Sequence, residues 1–313
     1  MLTEEKQGII AFYEQNPLDI NLVGEAELIA LGILDASQIN SFISHRQQIG
    51  RFLSIYELQS IPHFEINTLR IIQRLMVCRP LPKNWLSPDN PKHQILLRAE
   101  RTLEQKKGFS EPTSRSKTRY LGNPLSQVFR YRGYVNPFLR GGLLIAKDAG
   151  EPNYLDFSSG FIEIKDPKGH YKWILGDFIN QWGQGLVQSG SFSLGKSYES
   201  IRATQKFHGG AMAYTSSGES EFYRGINFQS RWRRFQSQIY LSSRKKDLIL
   251  SKDSTYFRSF QLDGLHRTPT EISQQNRLQE FAAGLNFRYQ GQNVEWALAQ
   301  TWTQWNYPFM PSN

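Results

Sequence analysis

Phe281-Ala282-Ala283-Gly284-Leu285-Asn286-Phe287-Arg288-Tyr289-Gln290 is followed, after a short polar break, by Val294-Glu295-Trp296-Ala297-Leu298-Ala299-Gln300-Thr301-Trp302. In the first run Phe281, Ala283, Leu285, Phe287 and Tyr289 alternate with Ala282, Gly284, Asn286, Arg288 and Gln290. In the second, Val294, Trp296, Leu298 and Trp302 alternate with Glu295, Ala297, Ala299 and Thr301. A period of two sends successive side chains to opposite faces of a strand, so each run reads as a strand with one apolar and one polar face.

The same period recurs upstream. Ile226, Phe228 and Trp232 face away from Asn227, Gln229 and Arg231, and further strands are expected over 93–103, 125–134, 140–147, 157–166, 171–179, 220–230, 234–244 and 256–263. Several have the roughly nine to eleven residues that a tilted strand needs to cross a bilayer, with aromatic residues near their ends. No periodic helices separate them, which suggests an antiparallel barrel or partial barrel over residues 92–313. A soluble sandwich with the same alternation is the other reading, because alternation does not say whether lipid or protein meets the apolar face.

Before residue 79 the period is 3.6. A degenerate repeat places Glu27-Leu28, Leu31, Leu34-Asp35 and Ile39 thirty positions before Glu57-Leu58, Ile61, Phe64-Glu65 and Leu69. Each copy reads as helix, tight turn, helix. Residues 1–79 are therefore expected to form an all-α tandem helix-hairpin-helix domain, joined by a proline-rich linker, 80–91, to the strand region; the fold class is α+β. Asp35 and Gln38 have capping-box spacing, and Gly50 suits the left-handed position beyond a helix end.

A hairpin of this kind grips phosphate through a Gly-hydrophobic-Gly turn that bares backbone N–H groups at a helix N-terminus. Here the turns read Ile33-Leu34-Asp35 and His63-Phe64-Glu65. Neither retains a glycine, and a carboxylate stands at each third position, where it would occupy the anion site. Charge agrees: residues 1–78 carry five basic and nine acidic side chains, net −4, while the rest carries +13 of the total +9. Nucleic acid is accordingly disfavoured as a partner, and Arg46, Arg51, Arg70 and Arg74 are the candidate contacts if it binds at all.

Two segments of the strand region stand out. Gly176-Asp177-Phe178 with Gly183-Gln184-Gly185-Leu186 lacks the spacing and βαβ context of a nucleotide loop, so Gly183, Gln184 and Gly185 are expected to permit a sharp bend inward. Thr268 and Glu271 form a second capping box with Pro269 at the first helical position, starting a short helix through Gln274 to Leu278. The adjacent His266 and Arg267 either contact a ligand or brace their own loop. No metal-binding spacing, nucleophile turn or cysteine pair occurs, the one cysteine being Cys78. No cofactor and no enzymatic activity are therefore expected, a hydrolase on a β scaffold being a remote alternative. The start Met1-Leu2-Thr3-Glu4-Glu5-Lys6 lacks the basic start, apolar run and cleavage site of a secretory signal, so the expectation is either a cytoplasmic protein or an export signal that was removed or never included.

These segments, with Pro17-Leu18-Asp19-Ile20-Asn21, Tyr56-Glu57-Leu58-Gln59, Ala146-Lys147-Asp148-Ala149-Gly150-Glu151-Pro152 and Gly264-Leu265-His266-Arg267-Thr268-Pro269, resemble a family of Gram-negative helix-hairpin-helix proteins whose repeat precedes an outer-membrane β-barrel. The repeat alone is similar to the DNA receptors of competence systems. The resemblance implies an outer-membrane location with a periplasmic N-terminal domain used for docking, scaffolding or transport, and a chain incomplete at one or both ends. The alternatives are a DNA-binding or DNA-uptake protein, and a cytoplasmic location. Partners would be membrane lipid or lipopolysaccharide and a protein for the helical domain, with Arg130, Arg132, Arg231 and Arg288 lining a lumen or meeting acidic head groups.

Overall fold

The computed structural model describes residues 13–14, 17–24, 27–28, 31–62, 64–79, 91–111, 119–183, 185–189, 210–251, 255–291 and 294–310. The dominant feature is an antiparallel meander: β3 (Lys92–Arg101), β4 (Leu125–Asn136), β5 (Leu139–Lys147), β6 (Phe157–Lys165), β7 (Tyr171–Gln181), β9 (Tyr223–Trp232), β10 (Phe235–Lys246), β13 (Leu278–Gln290) and β14 (Glu295–Trp305) pair in that order. The short β8 (Gly210–Ala213) pairs only with β7, and β11 (Leu248–Leu250) and β12 (Phe257–Phe260) form a separate hairpin. Turns at 137–138, 166–170 and 233–234 lie at one end; the long connections, such as 148–156 and 247–277, lie at the other.

Among the described residues no closed barrel is present. Closure requires the first and last strands to pair, yet β3 and β14 are the two ends of an open path. The expected strand at 256–263 explains part of the difference, because its residues fold as β12 beside β11 and add nothing to the main ladder.

The all-α tandem domain is also corrected. The apolar repeat positions do share one core, with Leu28, Leu31, Leu34, Ile39, Phe42, Phe52, Leu58, Leu69 and Ile72 all buried together. Its units differ, however. In the first copy α1 (Ala36–Ile49) starts at Asp35, whose carboxylate accepts from Gln38 N at 2.9 Å while Gln38 Oε1 accepts from Asp35 N at 3.0 Å. The second copy opens with a 3-10 helix, Ile55–Ser60, capped by Ser54 and stopped before Pro62, and continues as α2 (Ile66–Leu75) without a side-chain cap from Glu65. The ends of the segment meet as a parallel pair, β1 (Leu18–Asp19) with β2 (Met76–Val77). Short strands and a 3-10 turn therefore replace the second hairpin. The linker residues 80–90 lie outside the described residues. The third helix, α3 (Pro269–Gln274), has its Thr268 capping box and ends four residues before Leu278.

Strand β7 changes neighbour along its length, pairing with β6 through Gly176 and with β8 from Phe178 onward. Gly176 sits at that exchange with φ +101, and a Cβ there would lie 2.2 Å from the carbonyl oxygen of Gly160. Only glycine allows the two backbones so close. Replacing Gly176 with Ala should cost about 2 kcal/mol or more from combined strain and crowding. Chemical unfolding of the two proteins measures this directly, and an unchanged midpoint would remove Gly176 from its structural role.

Candidate functional site

The sheet is inverted relative to a water-soluble protein. Directly paired residues share a face, so the ladders group Ile95, Leu97, Leu143, Ile162, Trp173, Leu175, Ile226, Ile239, Leu241, Leu285, Trp296, Leu298 and Trp302 on one side. These are exposed: Ile95 by 63%, Leu241 by 62% and Leu298 by 60%. The opposite face carries Asn180, Asn227, Gln238, Asn286 and Glu163, all buried. Such an arrangement reverses the usual partition of polar and apolar side chains, and an exposed apolar surface spanning many strands marks a contact surface.

Buried polar groups are tolerable when they bond to one another. Trp182 Nε1 donates to Gln238 Oε1 at 2.8 Å, Gln238 Nε2 to Asn180 Oδ1 at 2.6 Å, and Asn227 Nδ2 to the same oxygen at 3.1 Å. The chain after β7 folds back over this face. Trp182 is buried, Gln188 Nε2 donates to Tyr240 OH at 3.2 Å, and Tyr223 OH donates to Gln188 Oε1 at 3.0 Å. Gly183 and Gly185, at φ +51 and +81, make that reversal, and Gln184 lies outside the described residues.

At the short-turn end the helical segment docks on the same face through Glu27. Its carboxylate meets Lys165 Nζ at 2.8 Å and Arg140 Nη1 at 3.2 Å and accepts from Gly24 N at 2.8 Å; Glu163 completes the cluster, 2.8 Å from Arg140 Nε. Burial alone would raise the Glu27 carboxyl, but Lys165 and Arg140 hold it below its ordinary value. Tyr134 of β4 packs against the helical core beside it.

At the long-loop end His266 joins three connections. Its Nδ1 lies 2.5 Å from Asp156 Oδ2 and its Nε2 2.8 Å from Asp247 Oδ2, while its backbone N–H donates to Glu151 Oε1 at 3.0 Å. Carboxylates only accept, so both ring nitrogens carry protons and the imidazolium is a charged clasp. Burial opposes that charge, but the bonds to Asp156 and Asp247 prevail and raise the pKa to about 10. Nearby Glu219 is pushed up to about 8 by burial first and then by Asp156. Glu151, Asp156 and His266, and likewise Glu219, Asp247 and His266, bring ligand-type atoms within 4.8 Å of one another. In its doubly protonated form the ring offers no lone pair, so metal binding there would require loss of a ring proton.

The residues singled out in the sequence are dispersed. Arg130, Arg132, Arg231 and Arg288 all stand on the polar face, Arg288 paired with Glu295 at 2.8 Å. Arg267 stacks over Tyr120 and bonds Glu271 at 3.0 Å, bracing its loop as His266 does. The hairpin residues form no common surface: Leu34 is buried, Ile33 and Phe64 are half-buried, Glu65 is exposed, Asp35 caps its own helix, and His63 lies outside the described residues. Arg46 donates to the carbonyls of Ile20 and Val23, Arg51 to that of Arg79, Arg74 pairs with Glu14, and Arg70 is exposed. Asp156 and Asp247 escaped the sequence reading, and Glu27 entered it only as a position of the repeat. The available signal for Glu27 was a carboxylate standing directly beside the buried repeat position Leu28.

No family model, curated protein or solved structure matches this chain. The resemblance to helix-hairpin-helix outer-membrane barrel proteins is therefore corrected on both counts, since neither a family match nor the two folds it implies is found.

His266 has an ordinary value of 6.5 and keeps its proton to about 10 when folded. Its stabilisation is complete below the unfolded value and lost as pH rises through the folded one. Glu219, raised from 4.5 to about 8, acts in the same direction. Amide exchange around 151–156 and 264–266, corrected for intrinsic base catalysis, should accelerate from about pH 7 upward. In His266→Ala it should be fast throughout; a flat profile in the unsubstituted protein would exclude the clasp.

Proposed function

We propose that this chain is a non-enzymatic membrane protein of the bacterial envelope, whose sheet turns its apolar face to acyl chains and its polar face to a protected interior. The carrying observation is the inversion itself, with Leu241 and Leu298 exposed while Asn227 and Asn286 on the opposite face are buried. In water that distribution loses the hydrophobic contribution of a whole face; in lipid it is the favoured one. Strand lengths support the reading, since β7 and β14 have 11 residues and β9 has 10, near the span of a tilted transmembrane strand. Among the described residues no helix is long and apolar enough to cross a membrane, which leaves the strands as the crossing elements.

The helical segment docks where the turns are short, so it would lie on one side of the bilayer with the long loops on the other. An outer-membrane location with this segment in the periplasm fits that asymmetry. Its role is docking or scaffolding over the polar face, anchored by Glu27. In lipid the edge strands β3 and β14 also need hydrogen-bond partners, because unpaired backbone is costly there. Dispersal of the hairpin arginines gives the DNA-binding alternative no common surface.

Arginine substitutions test the reading. Leu285→Arg or Leu298→Arg should abolish co-flotation with phospholipid vesicles, at about 2–4 kcal/mol for a midplane position. Thr301→Arg, on the polar side opposite Gly284, should float as the unsubstituted protein does. Equal behaviour of the three variants, or an unsubstituted protein that stays soluble without detergent or vesicles, would refute the membrane assignment.

A further inference from the structure

On the outward side of the sheet, away from the helical segment, the apolar band stops differently at the two ends. Along β10 the outward positions Ile239 and Leu241 give way to Ser243 and Lys245, and along β13 Phe281 gives way to Gln279. Along β9 Ile226 gives way to Arg224, which pairs with Asp177 at 2.7 Å. On the long-loop side the band therefore ends within the strands. Toward the short turns it continues to the last paired residues. Ser230 and Ser237 stand on the way, and their hydroxyls bond each other at 2.7 Å.

Those last residues are aromatic. Trp232 pairs with Phe235, Phe235 with Tyr289 and Tyr289 with Trp296, so one row crosses the neighbouring strands β9, β10, β13 and β14. The ring centroids of Phe235 and Tyr289 are 5.1 Å apart and those of Tyr289 and Trp296 5.8 Å, while Trp232 is 63% exposed. Cations come immediately beyond the row. Arg233 and Arg234 form the turn between Trp232 and Phe235, and Lys168 lies in the turn 166–170, tied to this end of β9 by Arg231 N donating to His170 O at 2.7 Å. All three side chains are exposed. The Arg233 guanidinium stands over the Trp232 ring, 5.3 Å from its centroid. Asp166, the acid of these two turns, accepts from the backbone N–H of His170 at 3.2 Å.

Each of these features has a physical reason at a membrane boundary. Indole and phenol rings combine an apolar body with a polar tip, so Trp and Tyr collect where acyl chains meet head groups. A guanidinium just beyond them meets a phosphate with parallel N–H donors, and basic side chains near an anionic surface add their attractions. The height also fits. At the ordinary rise and tilt of a membrane strand, Tyr289 to Phe281 spans roughly 20 Å, close to the roughly 25 Å apolar band of membrane barrels.

We propose that the short turns form a basic rim seated on anionic phospholipid head groups, with Arg233, Arg234 and Lys168 on the lipid phosphates and the Trp232, Phe235, Tyr289 and Trp296 row at the acyl-chain boundary. The inference rests on the membrane reading above and adds to it a depth and a lipid preference. On one side the bilayer ends at the turns. On the other the strands run past it, from Arg224, Ser243 and Gln279 into the long loops. The helical segment, docked at the short-turn end through Glu27 and Lys165, is held close to the membrane surface.

The test dilutes the full chain from neutral detergent onto vesicles of phosphatidylcholine, alone or doped with phosphatidylglycerol, and measures co-flotation against lipid concentration at low and high salt. The unsubstituted protein should bind both, the doped vesicles about tenfold or more tightly at low salt, with the gain fading at high salt. Lys168→Gln combined with Arg233→Gln and Arg234→Gln should keep its binding to phosphatidylcholine, which reports that it folds and inserts, and lose the gain. Lys168→Arg combined with Arg233→Lys and Arg234→Lys should keep the gain, and Lys107→Gln, on a long loop at the other end, should change nothing. Equal affinity for both vesicles, or a gain that survives the three substitutions to Gln, overturns the rim and leaves the membrane reading standing. Failure to float on any vesicle refutes the membrane reading itself, and the rim with it.

Discussion

Register is the constraint on which everything else in this chain depends. Strands β10 and β13 pair over twelve consecutive positions, from Phe235 with Tyr289 to Lys246 with Leu278. Because side chains alternate with a period of two, a slip of one residue would carry every polar side chain to the apolar side. The unbroken ladder therefore decides that Gln238, Tyr240, Asn286 and Arg288 share one face and Ile239, Leu241, Leu285 and Phe287 the other. From that single assignment follow the apolar belt, the buried amide network and the place where the helical segment can dock.

Polar chemistry also holds the two ends. At the short turns Glu27 reaches from the helical segment to Arg140 and Lys165; at the long loops His266 links Asp156 and Asp247. Removing one partner from a buried charge cluster is far more costly than never having formed it, so both contacts specify geometry as well as adding stability. Between them the face is closed by Trp182, Phe178 and Tyr240, an aromatic cluster whose one indole N–H is satisfied by Gln238. Charge therefore stands at the two ends of the face, with aromatic and amide groups between them.

Much of this was legible in local pattern. Alternation in Phe281–Tyr289 located a strand and its two faces, and the Asp35 and Thr268 boxes placed two helix starts, because each of these signals is carried by residues a few positions apart. Long-range facts were not legible. Asp156 and His266 are 110 positions apart, and nothing in their neighbourhoods announces the contact. The failure to close as a barrel depends on where the outer edges of β3 and β14 find partners, which no alternation records. The second hairpin was misread for a local reason: Ser54 and Pro62 confine Ile55–Ser60 to a tight 3-10 turn, while the apolar spacing that suggested an α-helix is satisfied by burial of Leu58 and Ile61 in the shared core.

The account stands on the apolar face meeting lipid, and spin-label accessibility along β14 tests that most directly. With Cys78 replaced and single nitroxides placed in turn from Trp296 to Trp302 in the vesicle-reconstituted protein, collision with oxygen, which partitions into lipid, is compared with collision with a water-soluble nickel complex. The account predicts a period of two, with oxygen collisions highest at Trp296, Leu298 and Trp302 and lowest at Ala297, Ala299 and Thr301. Uniform accessibility along the strand, or nickel collisions dominant at Leu298, would contradict it.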